Sequence, residues 1–369
     1  DDGSPSSGKF RMKANKMTVF NSRFRYIDEN LKSPKVLDFT SLNAKIEDFF
    51  IKGANVTTFI DELTFKDHRG LEVKKLTADF TYTKKNILLE QLAMNTPNSE
   101  MKGRVELKYD RKDFSDFNNK VVFDVEFDKA SIASNDLNFF YNEFGKNNIF
   151  YVDTHLVGTL NNFTTHNLKL TDKNQSEIIG TANFQNLFGK ENQEFYMKGS
   201  FDRITSDYEA LKIIMPRVLG KNLPSVLAKL GRVDLNGDVE LTQKYINANV
   251  YLLSKLGIVD GDLAIQNIDN IDNASYQGNI KLDNFDLGTL LSEKDLGKTT
   301  LDLNVDGKGF TEKYLDTKFS GDIFKVNYNN YNYTKIIVDG SFKKPIFKGK
   351  VFINDPNLFM DFDGLVNIG

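Results

Sequence analysis

Few residues in this chain of 369 have both the type and the spacing that chemistry requires. There are three histidines, His68, His155 and His166, too scattered along the sequence for a zinc set, and no cysteine, which removes disulfides and thiolate metal sites. His155 and His166 can approach each other across a hairpin, but no ligand set or triad accompanies them in the sequence. Asp260 and Asp262 share one strand face, as do Asp302 and Asn304. Because they alternate with apolar residues, they read as solvated side chains rather than as an acid–base pair. Residues 267–273 are rich in carboxylates but lack the Gly and terminal Glu of a helix–loop–helix calcium site, so a polar turn is expected. Gly307-Lys308-Gly309 lacks the phosphate-loop spacing. Asn55, Asn162, Asn174, Asn273 and Asn332 each begin a glycan-acceptor triplet, matches that a chain so rich in Asn and Thr produces by chance. No catalytic residue, metal site or cofactor emerges, and the chain reads as non-enzymatic.

The elements that would carry any site are strands. Met101, Gly103, Val105, Leu107 and Tyr109 alternate with Lys102, Arg104, Glu106 and Lys108. Val121, Phe123, Val125 and Phe127 alternate with Asp124, Glu126 and Asp128, and the pattern returns in Val233, Leu235, Gly237, Val239 and Leu241. It recurs at Tyr276, Gly278, Ile280 and Leu282, and again at Phe347, Gly349, Val351 and Ile353. Period two puts every apolar member on one side of a strand. Phe123, Val125, Phe127, Val239, Leu241, Ile280, Leu282, Val351 and Ile353 are therefore expected on an apolar face, with Asp124, Glu126 and Glu240 in water. Val105, Leu107 and Leu235 complete the apolar set. The 31 Phe and only 7 Pro suit uninterrupted strands that bury large side chains. Glycine recurs on the apolar face with apolar residues two before and two after it, as at Gly103, Gly237, Gly278 and Gly349. A sheet creased along such glycines would curl its apolar face inward.

Three short helices interrupt the strands, near 134–145, 206–230 and 286–296, each between one strand and the next. Ser206-Asp207-Tyr208-Glu209 has a capping-box pattern, Pro216 and Pro224 divide the second helical segment, and Gly145, Gly231 and Gly297 are read as stops. Residues 1–30 read as a polar tail or linker and a first strand, and 31–369 as one continuous repetitive β-region. The formal net charge of −3 favours neither nucleic acid nor anionic headgroups as electrostatic partners. No apolar run approaches the ~18–20 residues that would span a bilayer. The chain starts Asp-Asp-Gly-Ser without Met, and so reads as an interior piece of a longer protein. The fold expected from these patterns is all-β, mostly antiparallel and elongated by one-dimensional stacking, with a few short helices. A filled core, as in a β-helix or sandwich, and an open trough both satisfy the alternation.

Several motifs resemble a family. Thr96-Pro97-Asn98-Ser99-Glu100-Met101-Lys102-Gly103, Phe285-Asp286-Leu287-Gly288-Thr289-Leu290-Leu291, Asn304-Val305-Asp306-Gly307-Lys308-Gly309-Phe310, and Tyr328-Asn329-Asn330-Tyr331-Asn332-Tyr333 followed by Asp355-Pro356-Asn357-Leu358 are similar to recurring elements of TamB-type proteins of Bacteroidetes. The resemblance covers roughly residues 30–369 and implies an AsmA-like superfamily protein whose sheet is curled into a trough, or β-taco, with an apolar lumen. It implies a periplasmic location in a Gram-negative bacterium and an inner-membrane anchor in an N-terminal region missing from this chain. The implied partners are phospholipid acyl chains held against Val105, Leu107, Phe123, Val125, Phe127, Leu235, Val239, Leu241, Ile280, Leu282, Val351 and Ile353. An outer-membrane barrel of the BamA/TamA type would be met through a further region not in this chain. The implied function is lipid conduction in outer-membrane biogenesis, with a scaffold for outer-membrane protein assembly as the alternative.

Overall fold

The structure is a computed structural model that describes residues 10–28, 35–140, 145–187, 193–214, 223, 225–270, 272–310 and 314–367. Among the described residues the chain is all-β, with twenty strands in antiparallel sheet and a few short helices. It divides into two units, each described by itself: Asp1–Lys173 with Asn183–Lys190, and Asn174–Ala182 with Glu191–Gly369.

The first unit holds β1 (Arg11–Asp28), β2 (Lys35–Lys52), β3 (Asn55–Asp67), β4 (Glu72–Tyr82), β5 (Asn86–Asn95), β6 (Glu100–Lys108), β7 (Val122–Ala133), β8 (Ile149–Thr159) and β9 (Asn162–Asp172). β10 (Glu177–Gln185) falls across the division. The second unit holds β11 (Tyr196–Ser206), β12 (Val233–Thr242), β13 (Tyr245–Ser254), β14 (Gly257–Gln266), β15 (Ser275–Asp286), β16 (Leu296–Lys308), β17 (Asp316–Tyr328), β18 (Tyr331–Lys343), β19 (Ile346–Asp355) and β20 (Leu358–Asn367). From β1 to β9, and again from β11 to β20, each strand pairs antiparallel with the next in sequence.

Helices sit between strands at the three expected places, as α2 (Ser134–Phe140), α3 (Tyr208–Ile214) and α4 (Leu287–Leu291). A fourth, α1 (Phe117–Lys120), follows a 3-10 turn, Arg111–Asp116, between β6 and β7. A further 3-10 turn, Ser225–Leu230, precedes β12. Two local expectations need correction. The cap of α3 is Asp207, whose Oδ1 accepts from the Ala210 amide at 2.9 Å, while the fully buried Ser206 hydroxyl instead meets that of Ser176 at 3.0 Å. The turn after α4 is closed by Ser292 in the left-handed region, and Gly297 lies inside β16. Gly145 and Gly231 do adopt left-handed φ of 68° and 70° after their helical segments. Pro216 and Pro224 lie outside the described residues.

Strict alternation is broken at bulges, and the breaks decide which residues are buried. In β5 the register shifts between Leu89 and Leu92, with Gln91 left-handed between them. In β7 it shifts between Phe127 and Ala130 around Lys129, and in β15 between Leu282 and Phe285 around Asn284. Period two alone would send Leu92, Ala130 and Phe285 to the wet face. The extra residue of each bulge inverts the parity, and all three are buried.

Glycine works differently. Gly278 has φ +143°, and a Cβ there would lie 2.0 Å from the carbonyl oxygen of Asp262 on the paired strand β14. The two backbones approach at that rung because no side chain separates them. Gly261, one strand away on the same apolar face, is not in the positive-φ region, and a Cβ there would meet only the Leu263 side chain at 3.8 Å. The two glycines should therefore respond in opposite ways to a methyl group. Gly278→Ala should lower the urea midpoint of the chain, with a loss of at least about 1–3 kcal/mol for the forced backbone strain. Gly261→Ala should be neutral or gain up to about 1 kcal/mol from the stiffer unfolded chain. Equal destabilisation by both, followed by circular dichroism, would contradict this account of the close approach.

Candidate functional site

The apolar face is built by register. In the first unit Val105 stands between Leu89 and Val125, Leu107 between Ile87 and Phe123, and Val125 between Val105 and Leu156. Phe123 has Leu107 on one side and Gly158 on the other, and Phe127 has Gly103 and Thr154. In the second unit Leu235 lies between Ile204 and Leu252, Val239 between Gly199 and Ala248, and Leu241 between Met197 and Ile246. Ile280 lies between Gly261 and Leu303, and Leu282 between Val259 and Leu301. Val351 lies between Val338 and Phe362, and Ile353 between Ile336 and Met360. Every rung that holds one of the expected groove residues is thus apolar or glycine on both sides, Thr154 excepted. Cross-strand apolar pairs on one face hold such a ladder together.

Burial separates these residues into two groups. Val125, Leu241, Leu282 and Ile353 are buried, whereas Val105, Leu107, Phe123, Phe127, Leu235, Val239, Ile280 and Val351 are half-buried. Of the buried members, Leu282 and Ile353 belong to apolar clusters of the second unit. One cluster in the second unit gathers Leu230, Leu256, Leu282, Phe285 and Leu301, with Leu227 of the 3-10 turn and Leu287 and Leu290 of α4 against it. Lys229 fastens the two helical pieces together, donating to the Leu290 carbonyl at 2.7 Å and the Ser292 hydroxyl at 2.6 Å. Another cluster, Ile336, Val338 and Ile353, shares Leu303 and Ile323 with the first, so the apolar face of this unit is continuous from β14 to β20. In the first unit a separate cluster of Ile60, Val73, Leu76, Ala78 and Leu92 is flanked by Leu89 and Val105. There an aromatic run, Tyr109–Phe114–Phe117–Phe123, stacks from the 3-10 turn onto β7 with ring centres 4.6 to 6.2 Å apart.

The opposite face is polar, though less open to water than alternation suggests. Glu126 is exposed, but Asp124 is half-buried in a network that the sequence pattern did not reveal. Lys108 reaches Asp124 Oδ2 at 2.7 Å, His155 Nε2 reaches its Oδ1 at 2.9 Å, and Arg104 lies 3.4 Å away. Glu106, itself buried, is shared by Arg104, Lys108 and Asn86. Those hydrogen bonds from Lys108 and His155, reinforced by the two cations, hold the Asp124 carboxyl down to about 2. Glu240, also expected in water, is half-buried and accepts from Tyr245 at 2.9 Å; burial, with that carboxylate beside it, pushes the Tyr245 phenol up to about 12. His155 and His166 are direct register partners with ring centres 5.9 Å apart, and Glu126 is the register partner of His155 on its other side. Sequence alone misses this grouping because β7 and β8 are joined through a helix, which hides their register. The described residues of the 267–273 segment lie in turns, with Asn270 N donating to Asn267 O and Asn273 N to Asn270 O.

No family model, curated protein or solved structure matches the chain. Among the described residues no helix is long and apolar enough to cross a membrane.

The Asp124 network makes a pH-dependent contribution whose sign follows from its direction. A carboxyl that ionises near 2 when folded and near ~4 when unfolded stabilises the fold above that unfolded value. The contribution is lost as pH falls through the folded value. Unfolding midpoints of the parent and of Asp124→Asn should differ by a constant amount from pH 7 to pH 5 and converge between about pH 4 and pH 2. Curves that stay parallel down to pH 2 would remove Asp124 as the group responsible.

Proposed function

We propose that this chain is a TamB-like member of the AsmA-like superfamily, a periplasmic and non-enzymatic protein that holds phospholipid acyl chains along its apolar face and so supports outer-membrane biogenesis. The observation that carries the reading is the apolar ladder itself. Rung after rung is apolar on both sides, yet Val239, Leu235, Ile280 and Val351 are left only half-buried. Apolar area left wet costs about 25 cal/mol per Å2, so a long strip of it calls for a cover. An alkyl chain is the fitting cover: it has no hydrogen-bonding groups to satisfy and asks only for continuity along the strip. The motif resemblance supports the same reading. A second reading, a scaffold that adds strands from unfolded outer-membrane proteins, is favoured by β20, whose described pairing is with β19 alone. That strand exposes Leu358, Phe359, Leu365 and Val366.

The two readings part at a lumen charge. The purified chain should carry phospholipid detectable by mass spectrometry of a solvent extract. Val239→Glu puts an unpaired carboxylate on the strip and should cut the retained lipid at least about tenfold, because desolvating that charge outweighs what one acyl segment gains. Asp238→Arg, on the exposed face one residue away, should retain it. Absence of lipid from the parent, or full retention by folded Val239→Glu, would set conduction aside; binding of an unfolded barrel segment in that case would support the scaffold.

A further inference from the structure

The polar face of the first unit brings together groups that the groove does not use. Asp124, Glu126 and His155 each place one potential ligand atom within 4.8 Å of the others. His166 stands on the next strand with its ring centre 5.9 Å from that of His155. Register makes this arrangement: Glu126 of β7 opposes His155 of β8, which opposes His166 of β9, and directly opposed residues in an antiparallel pair share a face. We propose that His155, His166 and Glu126 form a binding site for a borderline divalent transition ion, of the class of Zn2+, Ni2+ or Cu2+, with Asp124 as the group that orients His155.

Chemistry and geometry both support the assignment. Two imidazoles bound to one ion at ~2.1 Å have ring centres about 5 to 6 Å apart for ordinary bond angles, and this pair already stands at that separation. Asp124, ion-paired with Lys108 and Arg104, is a carboxylate and can only accept. Its 2.9 Å contact to His155 Nε2 therefore places the ring proton on Nε2 and leaves the Nδ1 lone pair for a metal. A ligating histidine whose other nitrogen donates to a carboxylate is the usual supporting arrangement for such ions. Lys108 and Arg104 form their ion pairs with Glu106 and Asp124, and the exposed Glu126 stands between Arg104, its register partner on β6, and His155, its register partner on β8. Two imidazoles with one carboxylate suit zinc, nickel or copper better than calcium or magnesium, which prefer all-oxygen sets. The site also lies beside register shifts in β7 and β8, where a shallow recess of about 470 Å3 is lined by Arg104, Glu126, Asp128, Asp153, His155 and Asn167, with His166 outside it. An ion there would tie together three strands, independently of whatever occupies the apolar face.

The sequence makes the test clean, because with no cysteine and only three histidines the whole chain offers little competing ligation. Calorimetric titration of the purified chain with Zn2+ near pH 7.5 should saturate at one ion per chain. His166→Ala changes an exposed side chain and should weaken binding at least about tenfold; His155→Asn and Glu126→Gln should do the same, and Asp124→Asn should cost about 10–100-fold through the lost orientation of His155. His68→Ala should leave the affinity unchanged. With Cu2+ as the probe, electron paramagnetic resonance should show coupling to two imidazole nitrogens in the parent and to one in His166→Ala. Each variant is checked by circular dichroism. Binding of less than one ion per chain, binding that His166→Ala leaves intact in the folded protein, or binding abolished by His68→Ala would overturn the site.

Discussion

In a meandering antiparallel sheet, fixing the backbone pairing of one strand with the next also fixes which side chains share a rung. Every other feature of this protein rests on that coupling. Val239 faces Ala248 because Asp238 faces Asn249, and a slip of one residue would exchange the apolar and polar faces along the whole strand. The apolar residues therefore act as register keys as well as burial. Each rung is set by its neighbours, from Leu235–Leu252 through Ile280–Leu303 to Val338–Val351, so that no distant part of the chain needs to be recognised for the face to form. The polar rungs use the same geometry for ion pairs, as Lys45 does with Glu62 and Lys281 with Asp302.

Two devices bend such a ladder without breaking it, and they divide the task. The bulges at Gln91, Lys129 and Asn284 add a residue, reverse the parity and turn Leu92, Ala130 and Phe285 inward. The bulges at Gln91 and Lys129 lie near the middle of their ladders and that at Asn284 near one end, and in each case the rungs on either side of the bulge keep alternation in their own parity. The glycines leave the count unchanged and instead let two backbones come close, Gly278 against Asp262 being an example. Bulges strengthen local twist, and glycines permit a tight crease; together they let a one-faced sheet curl over its own apolar side.

Much of this was legible in the sequence because period two is a strong signal where it is unbroken. The strands carrying Val105, Val125, Val239, Ile280 and Val351, and the three helical interruptions, all stand in the places alternation and capping residues gave them. What stayed hidden has a common physical cause. A bulge carried by Gln91 or Lys129 has no compositional mark, since neither residue is a habitual left-handed former, and so the inward turn of Leu92 and Ala130 could not be foreseen. The choice of Asp207 over Ser206 as a cap depended on Ser176, thirty residues earlier, claiming the serine hydroxyl. The Asp124–His155 contact depended on a register transmitted across a helix. In each case the deciding partner is distant in sequence, and local pattern cannot name it.

Period two also explains how one sheet can carry two unrelated kinds of surface. Asp124 and Val125 are adjacent in the chain, yet one joins Lys108, Arg104 and His155 while the other packs between Val105 and Leu156. The apolar face gains from uniformity, because apolar packing is non-directional and a single unpaired polar residue would interrupt it. The polar face gains from local difference, because directional bonds need particular groups at particular rungs. A substitution on one face therefore leaves the other unchanged, provided that the backbone between them keeps its register. The bulges are the places where that independence fails: a change at Lys129 would alter both the course of the polar face beside Glu126 and the inward aim of Ala130. The most constrained positions of this sheet are thus its irregular ones, where both faces depend on a single residue.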